Sequence, residues 1–337
     1  MTIKGIAIIL MLIHHLFSCS PEFVERFNVS TFFIPLGSLM SFSAFSNFCV
    51  SLFVFVSGYG IAVSMMRSSE SISHQAARRF IKLEKGVIIV YLISIATCFL
   101  RPDRLSVYFQ GGKISGLAYM VIDALGLSTL FATPMYNETW WYLSVAIVVI
   151  FAAPILTAAW EKFGVCVLGI AAALPILGLA MGPFTQYLLT LVLGIGTARS
   201  GLLNRLADLC AVKKKKYAFI LIDIVLILAF LYAGVKLEYR FWVNDILCLL
   251  IALLLFAAFD LRNKKLRVLP FLGKYSMNMF LIHTLIFEYY FTDFIYMGRN
   301  WLLITVVLAV ISLVISIIIE LLKKQLDKVL PAALRFR

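Results

Sequence analysis

Histidine is the side chain whose unperturbed titration falls near neutral pH, and two of the four histidines in this 337-residue chain, His14 and His15, interrupt a run of Ile, Leu and Met. Asp223, Asp245, His283 and Glu288 stand in other apolar runs, and Glu138 at the edge of one. An ionisable group in such surroundings is costly and therefore informative. Each of the six reads equally as a structural group bonded to a neighbouring helix, and for Asp223 and Asp245, which nothing in the sequence pairs, the structural reading is the stronger. His15 has one more feature. It lies eleven residues after Lys4, almost three helical turns, so the two share a face about 16 Å apart at 1.5 Å per residue. His14 points about 100° away. One helix face thus carries a cation at one end and an imidazole, the commonest general base, deep along its length, although Lys4 reads also as a plain anchor of the helix end.

The elements that must position these groups are membrane helices. Hydrophobic residues make up 62% of the chain and charged residues 14%, where a soluble domain would be about a quarter charged. A single water-soluble fold of this length could not hide that much apolar surface. Apolar runs of bilayer-spanning length fall near 3–19, 47–66, 86–101, 140–158, 164–181, 184–200, 217–234, 241–259, 276–292 and 301–321. Residues 116–131 are apolar too, but Asp123 and two glycines there suit a helix lying in the interface or dipping into the bundle. The expected fold is all-α, a bundle of about ten transmembrane helices forming a single domain over 1–337, with both termini cytoplasmic.

Charge supports that layout. With ten spans, 23 of the 30 Lys and Arg fall in cytoplasmic segments, and only Arg26, Arg101, Arg104, Lys113, Lys236, Arg240 and Arg299 fall opposite, as the positive-inside rule requires. An eleventh span at 116–131 would carry the Lys213–Lys216 run outside. Beside a span, that run is a topological anchor touching anionic lipid rather than a nucleic-acid patch, and no nucleic-acid partner is expected. Trp140, Trp141, Trp160, Trp242 and Trp301 fall at expected helix ends, where amphipathic rings prefer the headgroup zone. The six cysteines are scattered without metal or redox spacing and read as apolar fillers. The first apolar run has no cleavage-site pattern behind it and is expected to be a retained helix.

Five segments in order resemble one family. Lys4 to His15, a basic residue, ten intervening residues and a histidine, is similar to the opening signature of the acyltransferase-3 family of integral-membrane acyltransferases. Phe48 to Tyr59, ending in Ser57-Gly58-Tyr59, resembles its second-helix run, and Arg78-Arg79-Phe80-Ile81-Lys82 its basic cluster. Trp140 to Ser144, closing at Pro154, resembles its Trp-Leu-Ser helix, and Gly273 to Ser276 with Phe280 to His283 its late signature. Lys4 stands where arginine is usual, Ser51 where many members carry aspartate, and Ala146 where a large subgroup carries glutamate. Glu138, eight residues before Ala146, then becomes the candidate carboxylate partner of His15.

The resemblance implies O-acyl transfer, usually of acetyl, from a CoA thioester to a hydroxyl of a cell-surface polysaccharide or lipid-linked glycan, by a stand-alone multi-pass protein of the cell membrane. His15 would be the base. Ser57, in a Ser57-Gly58 turn, or the indoles of Trp140 and Trp141 would supply donors to the oxyanion. Lys4, Arg78, Arg79 and Lys82, all cytoplasmic, would hold the phosphates of acetyl-CoA, although topology alone also accounts for them. Acyl-CoA, the glycan acceptor and membrane lipid are the expected partners, and no metal is expected. The principal rival is a secondary transporter or glycan flippase, which also places charged groups in a helical bundle; no internal repeat or matched pair of broken helices supports it. A non-catalytic scaffold would have no need of buried histidines.

Overall fold

The computed structural model describes residues 1–32, 34–177, 179, 182–236, 240–259 and 267–329, with backbone alone at 233–236, 240–241 and 329. Of the basic residues counted above, Arg262, Lys264, Lys265, Arg335 and Arg337 lie outside these limits, as do the side chains of Lys236 and Arg240. The structure is 86% helical, and among the described residues no strand forms.

The last helix, Trp301–Val329, shows what solvent this fold is built for. Val306, Val310, Val314 and Ile318 recur every fourth residue on its exposed face, while Thr305, Ser312 and Ser316 are buried. Residues four apart share one face of a helix, so this helix presents its apolar stripe outward and turns its hydroxyls inward. A water-soluble helix does the reverse. In lipid, small hydroxylated residues favour close helix packing, and an apolar exterior carries no penalty.

Among the described residues, four helical stretches are long and apolar enough to cross a bilayer: Leu36–Arg67, Glu138–Phe163, Trp242–Phe259 and Trp301–Lys328. Shorter apolar helices run over Thr2–Ser18 and Cys166–Ile176. Near the expected span at 164–181, the helix Cys166–Ile176 has 11 residues, and near 184–200 the helix Leu188–Arg199 has 12. Each rises only about 17–18 Å against a hydrocarbon layer of about 30 Å; residues 178, 180 and 181 lie outside the described residues. At 86–101 the helix Ile72–Ala96 places its basic cluster in its first half. The apolar segment at 116–131 breaks into Lys113–Ala124 and Ser128–Phe131, joined through Gly126 at φ +63°, and neither piece is long enough to span.

The chain forms two compact units, each of three stretches. The first comprises Met1–Ala7, Phe48–Ala76 and Val148–Gly273. It is packed through glycines: a Cβ on Gly58 would stand 2.6 Å from the Leu191 carbonyl oxygen, and one on Gly194 2.3 Å from that of Phe55. Helix Cys49–Arg67 and helix Leu188–Arg199 therefore touch backbone to backbone, an approach that small residues permit. Asp245 is not unpaired here, because Thr190 Oγ1 donates to it; Asp223 is buried with Oδ2 unpartnered among the described residues.

The second unit comprises Ile8–Asn47, Ala77–Ile147 and Lys274–Arg337. It contains His14, His15, His283, Glu138 and Glu288. A parallel bridge ties Ser30 to Asn300, with Ser30 N–H donating to the Arg299 carbonyl at 2.7 Å.

Candidate active site

The first helix is α-helical from Thr2 to Ile13 and then widens into a π-helix over His14–Ser18. Widening frees main-chain carbonyls, and two side chains collect them. Ser43 Oγ donates to the Ile13 carbonyl at 2.8 Å, and the Tyr296 hydroxyl to that of Leu16 at 2.7 Å. A second π segment, Leu285–Tyr290, directly continues the helix Val268–Thr284. Such segments are rare and recur at functional sites. Both lie at a histidine.

The three histidines are held differently. His14 Nδ1 is 2.9 Å from the Ser43 carbonyl oxygen, so it carries the proton, and Nε2 is left to accept from the Cys19 thiol at 3.3 Å. His283 Nδ1 donates to the Phe280 carbonyl at 2.6 Å, and its Nε2 stands 3.2 Å from Thr284 Oγ1. Both rings have both nitrogens engaged, and their tautomers follow from the carbonyl each must donate to. His15 is half-buried, 4.8 Å ring to ring from His283 and 5.3 Å from His14. Among the described residues nothing hydrogen-bonds to either of its nitrogens. Its imidazole is positioned by packing, with neither nitrogen committed among the described residues.

Beyond His283 the hydrogen bonding continues. Thr284 Oγ1 lies 3.1 Å from Thr139 Oγ1, which donates to Asn137 Oδ1 at 2.9 Å. Asn137 caps the 3-10 turn Glu138–Trp140. That turn is anchored by Asp123, fully buried, whose carboxylate accepts from the Tyr108 hydroxyl, from Ser128 Oγ at 2.9 Å and from the Tyr136 N–H at 2.8 Å. Burial pushes the Tyr108 phenol up, so it remains an O–H donor, and burial also raises the Asp123 carboxyl. The Tyr136 phenol, raised by burial and by its hydrogen bond with Tyr290, stays protonated likewise.

Glu138 is not beside His15. Its carboxylate, 82% exposed, accepts from Arg104 at 3.1 Å. The same guanidinium stands 3.5 Å from Glu288 and lies over the Tyr289 ring, 4.2 Å from its centroid. The ring contacts of His15 are to His283 and His14. Next to this cluster, the hydrogen bonds from Arg101 hold the Asp103 carboxyl below the usual carboxylate range.

The other expected donors are committed or sited differently. The Ser57-Gly58 turn does not form: both residues sit within the helix Cys49–Arg67, where Ser57 Oγ donates to the Phe53 carbonyl at 2.7 Å and Gly58 serves packing. The Trp140 indole donates to the Leu281 carbonyl at 3.0 Å. Trp141 is half-buried, with its ring edge-on to Tyr142. Lys4 lies on the same continuous helix as His15, Thr2–Ser18. Arg78, Arg79 and Lys82 occupy the early turns of Ile72–Ala96, the arginines half-buried and Lys82 exposed.

Sequence reasoning missed Ser43, Tyr296, Thr284, Thr139 and Asn137. Only Asn137 left a signal, as a capping residue type just ahead of a turn. Among the described residues no group of three His, Cys, Asp or Glu converges as metal ligands would.

Nothing matches the chain among curated proteins or among solved structures. The family model Acyl_transf_3, an acyltransferase domain, matches residues 2–321. With an apolar exterior, helices long enough to cross a bilayer and a match over nearly its whole length, the chain belongs to the acyltransferase-3 family and is a membrane acyltransferase.

Proposed function

We propose that this protein resides in the cell membrane and moves an acyl group, acetyl in the first instance, from acyl-CoA on the cytoplasmic side to a hydroxyl of a cell-surface polysaccharide or lipid-linked glycan. His15 is the general base. The observation that carries this reading is that His14 and His283 have both nitrogens engaged while His15, among the described residues, has neither. The ten-helix layout with cytoplasmic termini belongs to the same reading. It rests on the 23-to-7 division of basic residues.

In the reaction, His15 takes the proton of the acceptor hydroxyl as its oxygen attacks the thioester carbon. The tetrahedral adduct collapses, the C–S bond breaks, and the thiolate takes the proton back from His15 and leaves as CoA thiol. An ester is formed and no proton is consumed overall. Lys4, Arg78, Arg79 and Lys82 hold the CoA phosphates through charge-assisted hydrogen bonds. The ring of His283 fixes the plane of the base from one side.

Purified protein in detergent, supplied with acetyl-CoA labelled in the acetyl group, tests the reading. Label appearing on an added glycan, or as acetate, is the expected result. Intact acetyl-CoA, together with gradient-driven uptake of a glycan into proteoliposomes, would make the protein a transporter instead.

A further inference from the structure

The reaction develops negative charge on the thioester carbonyl oxygen, and such charge needs preorganised hydrogen-bond donors in a water-poor site. Ser57 Oγ and the Trp140 indole both donate to main-chain carbonyls. One buried donor near the histidines is unspent. Asn137 is fully buried, and its Nδ2 has no acceptor among the described residues.

The orientation of that amide is not arbitrary. Asn137 Oδ1 accepts from the Thr139 N–H at 3.1 Å and from Thr139 Oγ1 at 2.9 Å. Turning the amide over would set an NH2 group against a main-chain N–H, two donors facing each other. The cap therefore fixes the oxygen on Thr139 and directs the NH2 group elsewhere. A buried amide N–H without an acceptor is costly to maintain. It calls for a partner that the folded chain itself does not provide.

Its location supplies the candidate. From Asn137 Oδ1, hydrogen-bond distances of 2.9, 3.1 and 3.2 Å lead through Thr139 and Thr284 to His283 Nε2, and the His283 ring touches that of His15. This hydrogen-bonded file joins the Asn137 amide to the ring packed against the base.

Resting on the acyl-transfer reading above, we infer that Asn137 is a catalytic residue whose Nδ2–H receives the thioester carbonyl oxygen and stabilises it as an oxyanion. As the acceptor oxygen bonds to the carbon, the carbonyl π pair moves onto that oxygen and the N–H bond to it strengthens. When the C–S bond breaks, the pair returns, the sulfur carries away the C–S electrons, and His15 returns the proton. Asn137 forms no covalent bond and changes no protonation state.

Two variants separate this role from capping. Asn137→Asp keeps the acceptor that Thr139 uses, and aspartate caps as well as asparagine, but it replaces the NH2 group by an oxygen. Asn137→Ala removes cap and donor together. With labelled acetyl-CoA, Asn137→Asp should unfold at a lower temperature, because a carboxyl replaces a fully buried amide, but per folded molecule it should show a nearly unchanged KM and lose about 10²–10³-fold in kcat, the usual effect of removing an oxyanion donor. Asn137→Ala should lose both kcat and thermal stability. A purely structural Asn137 predicts the opposite order, with Asp active and Ala impaired, and that result would overturn the inference while leaving the functional reading intact. A wild-type protein that neither transfers nor hydrolyses the label would overturn both.

Discussion

Replacing His14 and His15 one at a time by alanine should separate stability from turnover. His14 makes two hydrogen bonds, to the Ser43 carbonyl at 2.9 Å and with the Cys19 thiol at 3.3 Å. His14→Ala removes both and leaves the Ser43 carbonyl without its donor, a loss of about 1–3 kcal/mol in folding free energy. His15 makes none among the described residues, so His15→Ala leaves only the space of the ring beside His283 and should cost less stability. Turnover should follow the reverse order. Loss of a positioned base lowers the rate by about 10²–10⁴-fold, or about 2.7–5.4 kcal/mol of barrier at 1.36 kcal/mol per decade. His14→Ala should change the rate per folded molecule much less. The assay is the initial rate of acetyl-CoA consumption per mole of monodisperse protein, paired with thermal unfolding in the same detergent. Added imidazole should restore part of the His15→Ala rate if the vacated space admits it. Equal losses of turnover in the two variants, or full activity in His15→Ala, would refute the assignment of the base.

Asp123→Ala strands three donors that converge on one buried carboxylate and should destabilise the protein by about 3–5 kcal/mol, read as a lowered unfolding temperature; an unchanged one would mean that the Tyr136–Trp140 segment is held by other interactions. Replacing Arg78, Arg79 and Lys82 together by Gln should weaken CoA binding in titration calorimetry, since each charge-assisted hydrogen bond to a phosphate is worth about 1–3 kcal/mol. Unchanged affinity would leave those residues as topology anchors. Reporter fusions after Lys216 and Lys274 should report cytoplasm, and fusions at Asn28, Glu138 and Arg299 the opposite side; a cytoplasmic signal at Glu138 would exclude the ten-helix layout.

Composition and pattern were sufficient for the solvent and the all-helical class, and the resemblance of the ordered motifs for the family. An apolar excess as large as this one admits only a lipid environment, and helix periodicity is local, so runs of Leu, Ile and Val announce their helices without reference to the rest of the chain. The separation of Lys4 and His15 along one helix follows from spacing alone, because rise per residue is a property of the backbone. Helix ends are decided by less local forces. The apolar runs at 164–181 and 184–200 hold helices of only 11 and 12 residues, and hydropathy does not see where a helix stops. The spacing to Lys4 singles out His15, but the hydrogen bonding that separates it from His14 could not be read from one dimension. Both are imidazoles in the same run, and the difference lies in Ser43, 29 residues from His14, and in His283, on a helix contributed by the far end of the chain. Asn137 is half of that case: its oxygen caps Thr139 two residues on, a local role that its residue type announces, but only the tertiary structure leaves its nitrogen buried without an acceptor among the described residues. Hydrogen-bond partners are assigned by spatial proximity, and proximity between distant residues exists only once the chain is packed.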